Sequence, residues 1–85
     1  MMNYQTLKEK YTKLANESKY PDCVGYASAQ EMLKTFGVSV TMLEEMAKTK
    51  LEKQIAWDAN GRVAQIYQEF VSDIAAYKQW YLDMD

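Results

Sequence analysis

The sequence of 85 residues contains no histidine, one cysteine, one proline and three glycines. Without histidine the chain lacks the commonest general base near neutral pH and a principal ligand of zinc and haem. Cys23 has no partner for an intramolecular disulfide, and a lone thiol without an imidazole beside it is typical of a small buried residue. No glycine-rich phosphate loop and no calcium-binding loop occurs in the sequence. We therefore predict a protein that is not an enzyme and has no cofactor and no metal site.

Apolar residues make up 48% of the chain but occur only in short runs. A transmembrane helix needs about 20 consecutive apolar residues, and the first residues lack the continuous apolar stretch of a secretory signal. A chain of this length matches one small domain. We expect a cytoplasmic protein with no membrane contact, folded as a single domain over residues 1–85.

Arg62 is the single arginine among ten basic residues, and twelve acidic residues give a net charge of −2. Such a chain lacks the positive field and the bidentate arginine contacts that nucleic-acid-binding proteins use. Nucleic acid is therefore a partner that the composition does not favour. Lysines concentrate near the N-terminus and carboxylates, such as Glu69 and Asp73, near the C-terminus. The first and last helices are expected to pair, within one chain or between copies.

Apolar residues recur at spacings of three and four along most of the chain, which predicts an all-α protein. The expected architecture is a small bundle of about four helices. Their predicted ranges are 4–17, 29–36, 42–58 and 62–82.

Capping residues and helix breakers define these predicted boundaries. Thr6 and Glu9 form a capping box at the first helix, although Asn3 could cap one turn earlier. The third helix begins at Ser39 or at Thr41.

A loop is predicted between the first two helices, over residues 18–27, because Pro21 and Gly25 interrupt the apolar pattern. Ser28 then opens the second helix with another capping box. Gly37 ends that helix in a left-handed conformation.

The Asn60–Gly61 pair predicts a turn that folds the last two helices into an αα-hairpin. The rival is one helix over residues 42–82, since an interior glycine costs only about 1 kcal/mol. The clearest periodicity lies in the last segment, where apolar residues alternate spacings of four and three. This seam comprises Val63, Tyr67, Phe70, Ile74, Tyr77, Tyr81 and Met84.

Residues 28–46 read Ser-Ala-Gln-Glu-Met-Leu-Lys-Thr-Phe-Gly-Val-Ser-Val-Thr-Met-Leu-Glu-Glu-Met. This segment resembles the helix-turn-helix of the repressor type, with Gly37 at the turn and Leu43 and Met46 at inward positions of the recognition helix. Leu33 departs from the pattern, because that family has a small alanine there. The alternative is two helices joined by a glycine turn, as in any all-α protein. The resemblance implies a DNA-binding regulator that uses residues 28–48 and contacts DNA through Ser39, Thr41 and Lys48.

Seven tyrosines, two tryptophans and two phenylalanines make up 13% of the chain, more than one small core is expected to hold. Tyrosine and tryptophan are enriched at interface hot spots because they bury a large area with few rotamers to fix. Our main hypothesis is a non-enzymatic protein-interaction module, such as a small inhibitor, adaptor or regulator of the kind that phages and mobile elements encode. It would act by homo-oligomerisation or by binding a protein partner. The candidate surface residues are Trp57, Tyr77, Trp80 and Tyr81.

Tyrosines and lysines also alternate along the first helix, which indicates a second alternative. An oligomer of this chain could capture a small anionic ligand such as a nucleotide between its subunits, with tyrosine stacking on the ligand and lysine near its phosphate. The candidate residues are Lys8, Tyr11 and Lys48.

Overall fold

A computed structural model describes residues 3–83 of the chain, and these residues form four α-helices. Their bounds are α1, Tyr4–Glu17; α2, Asp22–Phe36; α3, Val40–Asp58; and α4, Arg62–Asp83. The prediction of a small all-α bundle is confirmed. α1 packs along α2 and α3 packs along α4, while α2 also lies against both members of the second pair.

α3 and α4 form the predicted αα-hairpin. The backbone N–H of Gly61 donates to the carbonyl of Asp58, which closes the turn between the two helices. Near the other end, Lys78 Nζ lies 3.0 Å from Glu44 Oε1, so the start of α3 faces the end of α4. The single helix over residues 42–82 is therefore excluded.

Side-chain caps begin α1 and α3. Asn3 Oδ1 accepts from the backbone N–H of Thr6 at 2.8 Å, so the Asn3 alternative is confirmed and the capping box at Thr6 is wrong, because Thr6 lies within the first turn. Ser39 Oγ accepts from the N–H of Met42. α3 therefore begins at Val40, and the alternative start at Thr41 is wrong.

The predicted start of α2 is wrong, because the helix begins at Asp22 rather than at residue 29. Pro21 immediately precedes the first turn, where its fixed φ and missing N–H are compatible with a helix. Gly25 lies within α2. A Cβ at this position would approach Ile66 Cγ2 of α4 to 2.9 Å. Because glycine has no Cβ, α2 can approach α4 closely here. Ser28 is an interior residue and not a cap.

Gly37 follows the end of α2 with φ −61°, so the left-handed conformation predicted for it is wrong. Within residues 3–83 no residue has a positive φ. A Cβ at Gly37 would instead collide with the ring of Tyr4 and with the carbonyl oxygen of Leu33. Glycine is therefore needed here so that the start of α1 can close against the end of α2.

All four helices contribute apolar side chains to the core. The largest fully buried side chains are Leu7, Tyr11, Leu33, Leu43, Ile66, Phe70 and Ile74. Of the predicted seam, Val63 is half-buried and Tyr81 is exposed, whereas Met84 lies outside the described residues. Among the described residues, every buried side-chain nitrogen or oxygen has a hydrogen-bond partner.

α4 forms an ion pair with each of the other three helices. The pairs are Lys10–Asp73 at 2.6 Å with α1, Asp22–Arg62 at 3.0 Å with α2, and Glu44–Lys78 at 3.0 Å with α3. The predicted pairing of the first and last helices is thus confirmed within one chain.

Candidate interaction surfaces

The four residues predicted to form one partner surface do not lie together. Trp57 is in the last turn of α3, beside the hairpin turn, whereas Trp80 and Tyr81 are near the end of α4. The two positions are separated by most of α4, about 25 Å at 1.5 Å per residue. Tyr77 is only 6% exposed and belongs to the core. The structure therefore divides the predicted surface between the two ends of the bundle.

One end carries a set of stacked aromatic rings. The rings of Tyr77 and Trp80 lie 6.3 Å apart and nearly parallel, at 23°. Tyr81 meets the ring of Tyr77 edge-on at the same separation, and Tyr4 of α1 lies 6.5 Å from it. Burial raises the pKa of the Tyr77 phenol. Tyr77 is thus the buried base on which Trp80 and Tyr81 are held.

Around these rings the same end exposes further apolar side chains. Tyr81 and Leu82 are 47% and 58% exposed, and Val38 of the α2–α3 loop and Met42 of the first turn of α3 are also exposed. Their common location follows from the contact between Glu44 and Lys78, which aligns the start of α3 with the end of α4. We call this surface, comprising Val38, Met42, Trp80, Tyr81 and Leu82, the Trp80 end.

The opposite end also exposes apolar residues, but they are arranged differently. Trp57 is 85% exposed and Tyr20 is 83% exposed, with Val24 and Ile55 exposed to a lesser degree. We call this surface, comprising Tyr20, Val24, Ile55 and Trp57, the Trp57 end. Within residues 3–83, the ring of Trp57 has none of the aromatic contacts that hold Trp80.

An ion pair fastens α2 to α4 at the Trp57 end. Arg62 donates to both carboxylate oxygens of Asp22, at 3.1 and 3.0 Å. The guanidinium holds the pKa of Asp22 below its usual value. This ion pair links α2 to α4 next to the hairpin turn that follows the exposed side chain of Trp57.

The three predicted DNA contacts lie on or just before the first half of α3. Thr41 and Lys48 are exposed, but the hydroxyl of Ser39 is engaged in capping the helix. Glu44, between them, is 3.8 Å from Lys48 and 3.0 Å from Lys78. α2 and α3 are joined by only three residues, as the motif requires. DNA binding through this segment stays a prediction.

The three residues predicted to hold an anionic ligand are not brought together. Tyr11 is fully buried, and its hydroxyl donates to Asp73 Oδ2 at 2.7 Å. The pKa of Tyr11 is raised, mainly by burial of the phenol and secondly by this hydrogen bond to Asp73. Lys48 is on α3, which makes no contact with α1 in the part of the chain that the structure describes. A site made of Lys8, Tyr11 and Lys48 within one chain is therefore excluded, and Tyr11 is unavailable to a ligand shared between chains.

Among residues 3–83 no group of three or more histidine, cysteine, aspartate or glutamate side chains is placed to hold a metal ion. No helix in the same range combines the length and apolar character needed to cross a membrane.

Comparisons with protein-family models, with curated proteins and with solved structures match nothing to this chain.

Three members of the Trp80 end are not among the surface residues predicted from the sequence: Val38, Met42 and Leu82. Val38 was visible as an apolar residue directly after a helix-ending glycine, and Met42 as a neighbour of the inward Leu43. Both were assigned to a helix-turn-helix instead. Only the alignment of α3 with α4 shows that these residues share a surface with Tyr81.

Proposed function

We propose that this protein is a non-enzymatic interaction module that binds another protein chain through the Trp80 end. The observation that supports the proposal most strongly is the stack of Trp80 on the buried Tyr77, with Tyr81 and Leu82 exposed beside it. Large apolar side chains held by a rigid base lose little conformational freedom on binding, which favours affinity. Hot spots of protein interfaces have this character.

The charges near the Trp80 end fit an apolar interface. Lys78, the single lysine of α4, forms an ion pair with Glu44. Contact with a partner at the Trp80 end therefore does not have to desolvate an unpaired ammonium group at Lys78.

A second copy of the chain is the partner we propose to test first. Symmetric pairing of one apolar surface with itself is the commonest mode of association among soluble proteins. Two copies repel each other through the net charge of −2 that each carries. Because salt screens this repulsion while leaving apolar contact intact, we expect self-association to strengthen as the salt concentration rises.

Sedimentation velocity over a wide range of protein concentration tests this proposal. The wild type should form a dimer as concentration rises, and Tyr81→Ser with Leu82→Ser should weaken dimerisation by about tenfold or more, since each buried apolar side chain contributes about 1.5–3 kcal/mol. The matched control is Ile55→Ser with Trp57→Ser at the opposite end. A control that weakens dimerisation as much would place the interface elsewhere, and a wild type that stays monomeric would contradict self-association.

A further inference from the structure

A groove between α1 and α2 has features that neither the interaction surfaces nor the core account for. It has a volume of about 350 Å³ and is lined by Tyr4, Lys8, Thr12, Gln30, Leu33 and Lys34. Two hydrogen bonds connect the helices across it. Gln30 Nε2 donates to Thr12 Oγ1 at 3.2 Å, and the Tyr4 hydroxyl donates to the carbonyl of Leu33 at 3.3 Å.

The register of the two helices brings two lysines to this groove. α1 and α2 run antiparallel, because Thr12 meets Gln30 near one end of the groove while Tyr4 meets Leu33 near the other. Lys8 lies between these contacts on α1, Lys34 directly follows Leu33 on α2, and both line the same space. No carboxylate is among the lining residues.

The charges of this groove contrast with those at the interfaces of α4. There, each interhelical cation meets a carboxylate at 2.6–3.0 Å. Within residues 3–83, neither Lys8 nor Lys34 has a carboxylate within 4.0 Å. The chain as a whole is acidic, so a general excess of basic residues does not explain the pair. Two ammonium groups beside one groove repel each other, and an anion between them would relieve that repulsion.

The remaining lining residues indicate what kind of anion fits. The Thr12 oxygen accepts from Gln30, which leaves the threonine hydroxyl hydrogen free to donate. The ring of Tyr4 and the side chain of Leu33 supply an apolar wall. The volume is at the small end of the range of about 300–1,000 Å³ typical of small-molecule sites. Two ammonium groups match the charge of about −1.5 to −2 on a phosphate monoester better than the single charge of a carboxylate.

We propose that the groove between α1 and α2 binds a small phosphate monoester. Lys8, Lys34 and the Thr12 hydroxyl hold the phosphate, and Tyr4 and Leu33 contact the organic part. This site lies within one chain and does not require self-association. A neighbouring depression on α1 is lined by Lys8 and Lys13, but it also includes the carboxylate of Glu9 and is more open, so it suits an anion less well.

Isothermal titration calorimetry tests the proposal with three phosphate monoesters: adenosine 5′-monophosphate, phenyl phosphate and glucose 6-phosphate. At least one should bind saturably with a Kd below about 1 mM. Its counterpart without phosphate, and inorganic phosphate alone, should each bind about tenfold more weakly. Lys8→Gln with Lys34→Gln should weaken binding by about tenfold or more.

Lys50→Gln with Lys53→Gln is the matched control, because it removes the same charge from exposed positions on α3. This control should change the Kd by less than about twofold, since distant surface charges are screened. All the substituted lysines are exposed, so the thermal midpoint of both variants should equal that of the wild type.

Three results would overturn the proposal. They are the absence of saturable binding by all three monoesters, equal affinity for the counterpart that lacks phosphate, and equal weakening in the control variant. Since the titration is carried out on Tyr81→Ser, Leu82→Ser protein as well as on the wild type, its outcome is independent of whether the chain dimerises.

Discussion

The two ends of the bundle each expose a tryptophan side chain, but they hold it differently. Trp57 is almost fully exposed and projects from the last turn of α3, whereas Trp80 is half-buried and stacked on Tyr77. A free side chain has to be ordered when it binds, whereas a stacked one already is. Exposure alone would select the Trp57 end as the interface. Because we weigh exposure together with a rigid base, we propose the Trp80 end instead.

The largest expected effect comes from removing that rigid base. Tyr77→Ala should lower the free energy of unfolding by about 3 kcal/mol, because it leaves a cavity among buried rings, and it should abolish dimerisation by releasing Trp80. Urea denaturation and sedimentation velocity measure the two effects. Tyr77→Phe keeps the ring and should preserve both properties. If folded Tyr77→Ala protein still dimerised, the rigid base under Trp80 would not be what makes this end the interface.

The two glycines that permit close helix contacts test each end separately. Gly37→Ala and Gly25→Ala should each cost about 1–3 kcal/mol of stability, since the new Cβ forces its neighbours to shift. Only Gly37→Ala should also weaken dimerisation, because it displaces Tyr4, which touches Tyr77. Gly25 contacts Ile66, near the Trp57 end. If both variants weakened dimerisation equally, the effect would reflect general destabilisation.

Tyr11 lies in the core between the two ends. Its substitution therefore shows how a loss of overall stability alone affects dimerisation. Its hydroxyl and Lys10 both donate to Asp73 Oδ2. Tyr11→Phe should cost about 1 kcal/mol, the usual net contribution of one hydrogen bond, with no preferential effect on dimerisation. Thermal denaturation and sedimentation measure the two quantities. A dimerisation defect as large as that of Tyr77→Ala would show that the core, and not the Trp80 end, determines association.

The same cluster predicts loss of stability in alkali. Burial raises the pKa of Tyr11, and the carboxylates of Asp73 and Glu69 raise that of Lys10 despite its partial burial. The folded protein therefore holds these protons more tightly than the unfolded chain. Their contribution is complete below about pH 10, where both groups keep their protons in the unfolded chain, and declines as pH rises towards the folded-state values.

Thermal midpoints between pH 8 and about pH 11 check this expectation. Tyr11→Phe should flatten the alkaline decline, whereas Tyr20→Phe, which alters an exposed tyrosine, should leave it unchanged. An equal decline in wild type and Tyr11→Phe would contradict the assignment to Tyr11.

The smallest expected effect is that of Trp57→Ala. Because the side chain is 85% exposed, its removal should change the free energy of unfolding by no more than about 0.5 kcal/mol, with no change in dimerisation. Urea denaturation and sedimentation check both. A loss of dimerisation in Trp57→Ala would indicate that the Trp57 end, and not the Trp80 end, forms the interface.

Local patterns in the sequence predicted much of this fold. The apolar stripes located α1 and α4 because their periodicity is regular, and Asn60–Gly61 located the hairpin turn. The start of α2 was missed because Gly25 was interpreted as a flexible loop residue. Its role depends on Ile66, which is 41 positions away in the sequence and becomes a neighbour only after folding.

The candidate sites were harder to predict, for the same reason. Trp57 and Trp80 were both predicted to belong to one surface, although the predicted hairpin itself implies that Trp57 lies beside the turn and Trp80 at the far end of the last helix. Lys8 was selected, but Lys34 was not, because the register of α1 against α2 is needed to place both at one groove. A surface built from several helices depends on packing, which a single helical stripe does not specify.

The most direct test of the Trp80 end uses Trp57→Phe, in which Trp80 is the single remaining tryptophan and therefore the sole source of tryptophan fluorescence. Its emission is measured from dilute to concentrated protein, alongside sedimentation of the same samples. We predict that the emission maximum moves to shorter wavelength as the dimer forms, because the interface excludes water from the ring. A dimer that forms while the emission of Trp80 stays constant would contradict the account.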